Sequence, residues 1–181
     1  MTAPVRKEEA REPAERPVTR KIQMTMEVNG AQRTIVVEPR ATLVDALRDE
    51  CHLTGTRTGC DEGVCGACTV LVDGEPVRAC LMFAVQAHGS EVRTVEGLAD
   101  GATLGVLQRA FVEAHAVQCG YCTAGFLMLA AGALERDPAM DDDALVALAS
   151  ANLCRCTGYQ PIVRALRSAR NALRDNEGGG E

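Results

Sequence analysis

Positions 59 to 68 read Gly59-Cys60-Asp61-Glu62-Gly63-Val64-Cys65-Gly66-Ala67-Cys68, and a fourth cysteine, Cys80, follows one short interval later. The spacing is C-x4-C-x2-C-x11-C. The first three positions are the plant-type ligand run for a [2Fe–2S] cluster. Each ferric ion takes tetrahedral sulfur, which four thiolates and two bridging sulfides supply. Glycines at 59, 63 and 66 let the loop wrap a small anionic cluster, because glycine accepts positive φ and lets backbone N–H groups approach sulfur. Those N–H groups offset negative charge and help set the reduction potential. A zinc site or a disulfide loop is the competing reading. Three thiols so close together on a glycine-rich loop suit neither well.

Upstream, Ile22, Met24, Met26 and Val28 alternate with Gln23, Thr25 and Glu27, the period of a half-buried strand. Asn29-Gly30 is a type I′ hairpin signal, and residues 32–38 return as a second strand. Thr42 with Asp45 resembles a capping box, opening a short helix that buries Leu43, Val44 and Leu47. Downstream, residues 69–72, Asp73-Gly74 and residues 75–79 read as another hairpin, which carries Cys80 back toward the cysteine loop. Residues 91–95 supply a fifth strand. These elements make a small α+β sheet domain over 21–98. Residues 1–20 hold almost no large apolar side chain and read as a disordered tail.

From Thr103 the period changes. Leu104, Leu107, Phe111 and Ala114 mark one helical face, and residues 122–136 form a second helix rich in Ala and Leu. Asp141-Asp142-Asp143 caps a third through Leu145 and Leu148, and Ile162, Leu166, Ala169 and Leu173 mark a fourth. Four short helices with short links predict a bundle over 99–175, followed by a frayed tail over 176–181.

A second cysteine set lies in this half. Cys119 and Cys122 precede the second helix, and Cys154 and Cys156 precede the fourth, with spacing C-x2-C-x31-C-x-C. Helix N-termini carry orphan N–H groups and the positive dipole end, which lower a thiol's pKa and favour ligation. Two helix starts converging on one point would hold one four-thiolate site. From spacing alone a four-cysteine zinc site competes. The first set weighs toward a second cluster, because one electron-transfer cluster gains a function from another nearby. Cys51, the ninth cysteine, has no partner at ligand spacing and reads as a small buried apolar residue. His52, His88 and His115 are isolated from one another and read as structural or solvent-facing, not as ligands.

Composition bounds the rest. A chain of 181 residues holds one domain or two small ones. A net charge of −6, no tryptophan and five other aromatics argue against a nucleic-acid or anionic-membrane partner. No secretory signal, twin-arginine address or membrane span is legible, and nine cysteines are an odd number, so metal-bound thiolates in a reducing cytoplasm are the expectation. No Ser-His-Asp set, phosphate-binding glycine loop or close carboxylate pair is visible, so no substrate-binding catalytic site is expected in this chain.

Taken together, the two sets resemble the small iron–sulfur subunit of the molybdenum hydroxylases, the xanthine oxidase family. The carrying stretches are Leu53-Thr54-Gly55-Thr56, the loop from Gly59 to Val70, Gln118-Cys119-Gly120-Tyr121-Cys122-Thr123, and Asn152-Leu153-Cys154-Arg155-Cys156-Thr157-Gly158-Tyr159. The resemblance runs from about Ile22 to Leu173. It implies a ferredoxin-like β-grasp domain followed by a four-helix bundle, each with one [2Fe–2S] cluster. It also implies a large partner chain with a molybdenum–pterin cofactor and a medium chain with FAD, assembled as a dimer of such trimers. The substrate would be an aldehyde, a purine, another N-heterocycle or carbon monoxide. Electrons would leave molybdenum through the bundle cluster, then the β-grasp cluster, then FAD, with Gln118 and Cys119 beside the pterin. Ala124 stands where many relatives have proline, which near a helix start mainly fixes φ. Two other classes stay open from sequence: a stand-alone ferredoxin or redox-sensing module, and a zinc-binding structural adaptor.

Overall fold

A computed structural model describes residues 20–178. The tail expected over 1–20 lies outside the described residues except for Arg20, and so do residues 179–181. Strands β1 (Ile22–Val28) and β2 (Ala31–Val37) pair antiparallel, with Met24 opposite Ile35. The turn between them has Asn29 at φ 50° and Gly30 at φ 78°, the left-handed pair that a type I′ turn requires. The same pair, Asp73 at 51° and Gly74 at 82°, joins β3 (Thr69–Val72) to β4 (Glu75–Arg78).

The capping box forms as expected. The Thr42 hydroxyl accepts from the Asp45 N–H at 3.3 Å, and the Asp45 carboxylate accepts from the Thr42 N–H at 3.3 Å. It opens helix α1 (Leu43–Asp45), which widens into a π turn over Ala46–Glu50 that the sequence pattern did not signal. Strand β5 (Glu91–Arg93) is shorter than expected, because Val95 starts a 3₁₀ turn. It pairs parallel with β1 and antiparallel with β3, giving the order β2-β1-β5-β3-β4. The last strand therefore occupies the middle of the sheet, where Val92 is fully buried.

Four longer helices follow: α2 (Val106–Glu113), α3 (Thr123–Arg136), α4 (Asp142–Ser150) and α5 (Gln160–Gly178). The chain is thus α+β. Leu104 corrects the expected face of α2. The helix starts later, where the Gly105 N–H bonds the Gln108 side chain at 2.8 Å, so Leu104 lies outside it and is exposed. Leu107, Ala110 and Phe111 form the buried stripe instead. Asp141 caps α4 by accepting from the Ala144 N–H at 2.8 Å.

Two hydrophobic cores result, and β3 serves both. Val70 and Val72 point into the sheet core with Met24, Met26 and Leu47, while Leu71 points into the helical core with Phe126 and Leu166. Alternate residues of one strand face opposite ways, so one strand can seal two layers. Burying Leu71 stabilises the contact by about 1.5–3 kcal/mol. The ion pairs Arg93–Glu135 at 2.5 Å and Arg136–Glu75 at 2.7 Å cross the same seam. Three of the four side chains are largely solvated and only Arg93 is partly buried, so each pair adds only about 0–1 kcal/mol. Where α3 meets the cysteine loop the backbones nearly touch: a Cβ on Gly125 would collide with the Gly66 carbonyl oxygen.

Candidate metal centres

The first four cysteines lie where the sheet meets the long loop after α1. From Cys51 to Cys68 the chain forms no helix or strand. A structureless run of that length inside a compact domain needs something other than a backbone ladder to hold it. The Arg48 guanidinium braces its first part, donating to the carbonyls of Thr54 at 2.9 Å and Thr56 at 2.8 Å. The tip turns around sulfur: the N–H groups of Cys65 and Glu62 point at the Cys60 Sγ at 3.3 and 3.4 Å. These two N–H groups, Cys65 first, bring the Cys60 thiol down to about 7. Cys68 lies at the other extreme, where burial pushes its thiol up to about 11. A thiol that resists ionising alone becomes a thiolate when a cation binds it.

The second set repeats this contrast. The Tyr121 N–H, then contact with Cys156, lowers Cys119. Burial pushes Cys122 up to about 12. Burial pushes Cys154 up, but hydrogen bonds from the Thr157 hydroxyl and N–H, the Cys156 N–H and Cys122 together leave that thiol lowered. Cys156 is raised by its contact with Cys119. Cys122 is the N-cap of α3, whose first residue, Thr123, is one later than the start expected from sequence. Cys154 and Cys156 lie in a loop ahead of α5, not on its first turn.

The thiols meet in pairs. Cys60 contacts Cys65, and Cys68 contacts Cys80. Cys119 and Cys156 approach with their sulfurs 3.5 Å apart, and Cys122 contacts Cys154. Weaker charge coupling joins the pairs within each set. A [2Fe–2S] cluster takes two thiolates on each of two irons, so two pairs per set fit it. A structural zinc ion would draw four sulfurs around one point. Among the described residues no group of three or more His, Cys, Asp or Glu closes around a single ion in that way.

The two loops are in direct contact. The Leu153 N–H donates to the Cys65 carbonyl at 2.9 Å, so residues next to and within opposite ligand sets share a hydrogen bond. Tyr121, between Cys119 and Cys122, donates its hydroxyl to the Thr58 carbonyl at 2.6 Å. Arg78 bonds both the Thr69 hydroxyl and, at 2.8 Å, the Ala151 carbonyl. Tyr159 holds the second loop from inside: its hydroxyl accepts from the Cys154 N–H at 2.9 Å and donates to the Asn152 carbonyl at 3.3 Å. It does so at φ 68°, a conformation a tyrosine adopts only when its surroundings enforce it. Spacing rules did not single out Arg78, Asn152 or Tyr159, because none of these residue types marks a ligand.

Cys51 sits apart in the sheet core, and burial raises its thiol pKa. Cys51→Ser is expected to leave iron and labile sulfide per chain unchanged, at a stability cost of about 1–2 kcal/mol for a buried hydroxyl. Iron analysis beside a thermal melt checks both, and loss of iron would reassign the ligands.

Comparison with known proteins finds two family matches. Residues 26–99 match the family described as a 2Fe-2S iron-sulfur cluster binding domain, and residues 94–167 match a [2Fe-2S] binding domain. The chain is 50% identical over 158 residues to the nicotine 6-hydroxylase small subunit of Paenarthrobacter nicotinovorans, covering 87% of this chain and 95% of that one. It is 53% identical over 148 residues to the caffeine dehydrogenase subunit gamma of Pseudomonas sp. (strain CBB1), covering 80% and 89%. A chain in the crystal structure of quinoline 2-oxidoreductase from Pseudomonas putida 86 superposes with a TM-score of 0.83 at 47% identity, over 87% of this chain and 99% of that one.

Proposed function

The chain belongs to the small iron–sulfur subunits of the molybdenum hydroxylase family, and from that membership we propose that it carries electrons between two partner chains. It is a subunit of an oxidoreductase complex. In our reading Cys60, Cys65, Cys68 and Cys80 hold one [2Fe–2S] cluster in a β-grasp domain spanning 21–98. Cys119, Cys122, Cys154 and Cys156 hold another in a four-helix bundle spanning 99–175. When bound, the clusters supply one-electron carriage. The polypeptide fixes their separation, solvates their charge with N–H groups, and presents them to partners. The partners are a large chain with molybdenum–pterin, facing the second set, and a medium chain with FAD, facing the first, in a dimer of heterotrimers. The substrate class proposed for the complex is an N-heterocycle, the chemistry shared by nicotine, caffeine and quinoline in the relatives' names.

The observation that carries this reading is the bond from the Leu153 N–H to the Cys65 carbonyl. Leu153 adjoins Cys154 and Cys65 is itself in the first set, so a short run of bonds and one hydrogen bond link the two sites. A surface feature supports the partners. Val64 and Leu81, 61% and 62% exposed, flank the first set with Phe83, while Val117, Tyr121 and Leu153 flank the second. Apolar side chains left in water around a redox site mark docking surfaces.

The test is purification of the tagged chain from its own cell. Two larger chains should accompany it, with about four irons and four sulfides per small subunit and two resolvable paramagnetic signals on reduction. A chain that purifies alone returns the stand-alone ferredoxin reading. A single signal integrating to one spin sinks the two-cluster claim.

Gln118 is proposed to contact the pterin. Its side chain is exposed and makes no hydrogen bond within the described residues, which leaves both donor and acceptor free for a heterocycle edge. Gln118→Ala is expected to slow reduction of the clusters by substrate about tenfold or more, the effect of losing roughly 1.4 kcal/mol of positioning. Reduction by dithionite should proceed at the parental rate. Parental substrate-driven rates in stopped flow would remove Gln118 from the path.

A further inference from the structure

Asn152 is 1% exposed, and neither its side-chain nitrogen nor its side-chain oxygen has a partner in the protein. Burying an amide without a partner is costly, and nearly every such group in a folded protein has a partner of some kind. The segment that carries it is fixed, because its backbone is tied at three successive residues. Ala151 accepts from Arg78, Asn152 accepts from the Tyr159 hydroxyl, and the Leu153 N–H donates to Cys65.

What the amide lies against is Gly66. A Cβ at that position would collide with the Asn152 side-chain oxygen, so the amide rests on the backbone between Cys65 and Cys68. Gly66 is at φ 77°, which turns the loop around the first set of thiols. The Asn152 side chain thus comes from the helical half and reaches the ligand loop of the sheet half. No acceptor for its N–H groups lies within reach in the protein, and the loop it rests on carries Cys60, Cys65 and Cys68.

We propose that the Asn152 amide donates a hydrogen bond to sulfur of the first [2Fe–2S] cluster, so that the helical half sets the potential of the cluster held by the sheet half. This rests on the first set holding such a cluster. Reduction adds one electron and makes or breaks no bond, so a donor aimed at sulfur favours the reduced form. Asn152 acts on the first cluster directly: it changes how readily that cluster takes the electron, and the second set keeps its own donors.

The experiment uses the complete loaded complex. Asparagine labelled with 15N at the side-chain amide alone is incorporated, and the reduced first cluster is examined by pulsed EPR. Of the asparagines whose side chains are described, Asn152 is the one packed on the loop that carries Cys65 and Cys68. A 15N coupling on the first signal is expected, and its loss in Asn152→Leu. In an EPR-monitored titration the first cluster in Asn152→Leu should become at least tenfold harder to reduce relative to the second, a fall of about 59 mV or more. Asn152→Asp, of the same shape but with acceptors only, should fall further. A parent complex with the first signal but no 15N coupling overturns the proposal and assigns the amide to a buried water. Equal shifts of both clusters in the variants also overturn it, since that is structural loosening. Absence of the first signal from the parent overturns the cluster reading and the proposal together.

Discussion

Cys65→Ser is expected to remove the first paramagnetic signal, to lower iron from about four to about two per chain, and to loosen the sheet half. Ligation energy is folding energy where the binding loop has no structure of its own. The run from Cys51 to Cys68 has neither helix nor strand, and its tip is ordered by N–H groups aimed at the Cys60 sulfur. Without a metal the buried Cys68 thiol stays protonated, its pKa near 11, and the loop loses its centre. Small domains have only about 5–15 kcal/mol in hand. A loss of about 2 kcal/mol or more lowers the melting midpoint of so small a unit by about 10 °C. The second signal should persist, because its four thiols lie on other segments. Iron analysis, EPR and a thermal melt of the variant check all three. Retention of about four irons with both signals would show that Cys65 is no ligand.

Gly125→Ala is expected to be the most damaging change outside the cysteines. In a helix, alanine gains up to about 1 kcal/mol over glycine. Here that gain is outweighed, because the new Cβ would collide with the carbonyl oxygen of Gly66 and crowd the Cα of Ala67. Both neighbours are backbone and belong to the ligand loop, so neither can rotate away. Overpacking of this kind costs about 1–3 kcal/mol or more. The expected result is a lower melting point and a broadened first signal. Gly132→Ala, two turns farther along the same face of α3, is the control. Its Cβ would meet the end of the Leu71 side chain at 2.7 Å, an atom that can shift, so the loss should be smaller. If Gly125→Ala melts at or above the parental temperature with both signals unchanged, the close approach of α3 to the loop is not a constraint.

The local parts of this protein were legible because their causes are local. Asn29-Gly30 and Asp73-Gly74 turn hairpins through their own backbone freedom, and Thr42 with Asp45 caps a helix within one turn. The alternation of Met24, Met26 and Val28 needs only a strand and a core. Both cysteine sets were grouped by spacing, and the structure brings the thiols of each set into contact in pairs. Leu104 was misplaced because periodicity alone cannot tell a helix's first turn from the loop before it. The Gln108 side chain bonding the Gly105 N–H fixes that start.

What tertiary structure alone decided was how distant segments meet. The placement of β5 between β1 and β3, the division of β3 between two cores, and the pairing of Cys119 with Cys156 join residues far apart in sequence. The contact of Asn152 with Gly66 is of the same kind. No local preference encodes such contacts. Asn152 looks like any loop asparagine until its surroundings remove water and partners alike, and Gly125 looks like a weak point in a helix until the Gly66 carbonyl lies against it. Sequence determined which residues can bind metal and which segments can fold. Close packing, which leaves no room for a Cβ and no acceptor for an amide, decided how the two sites are held together.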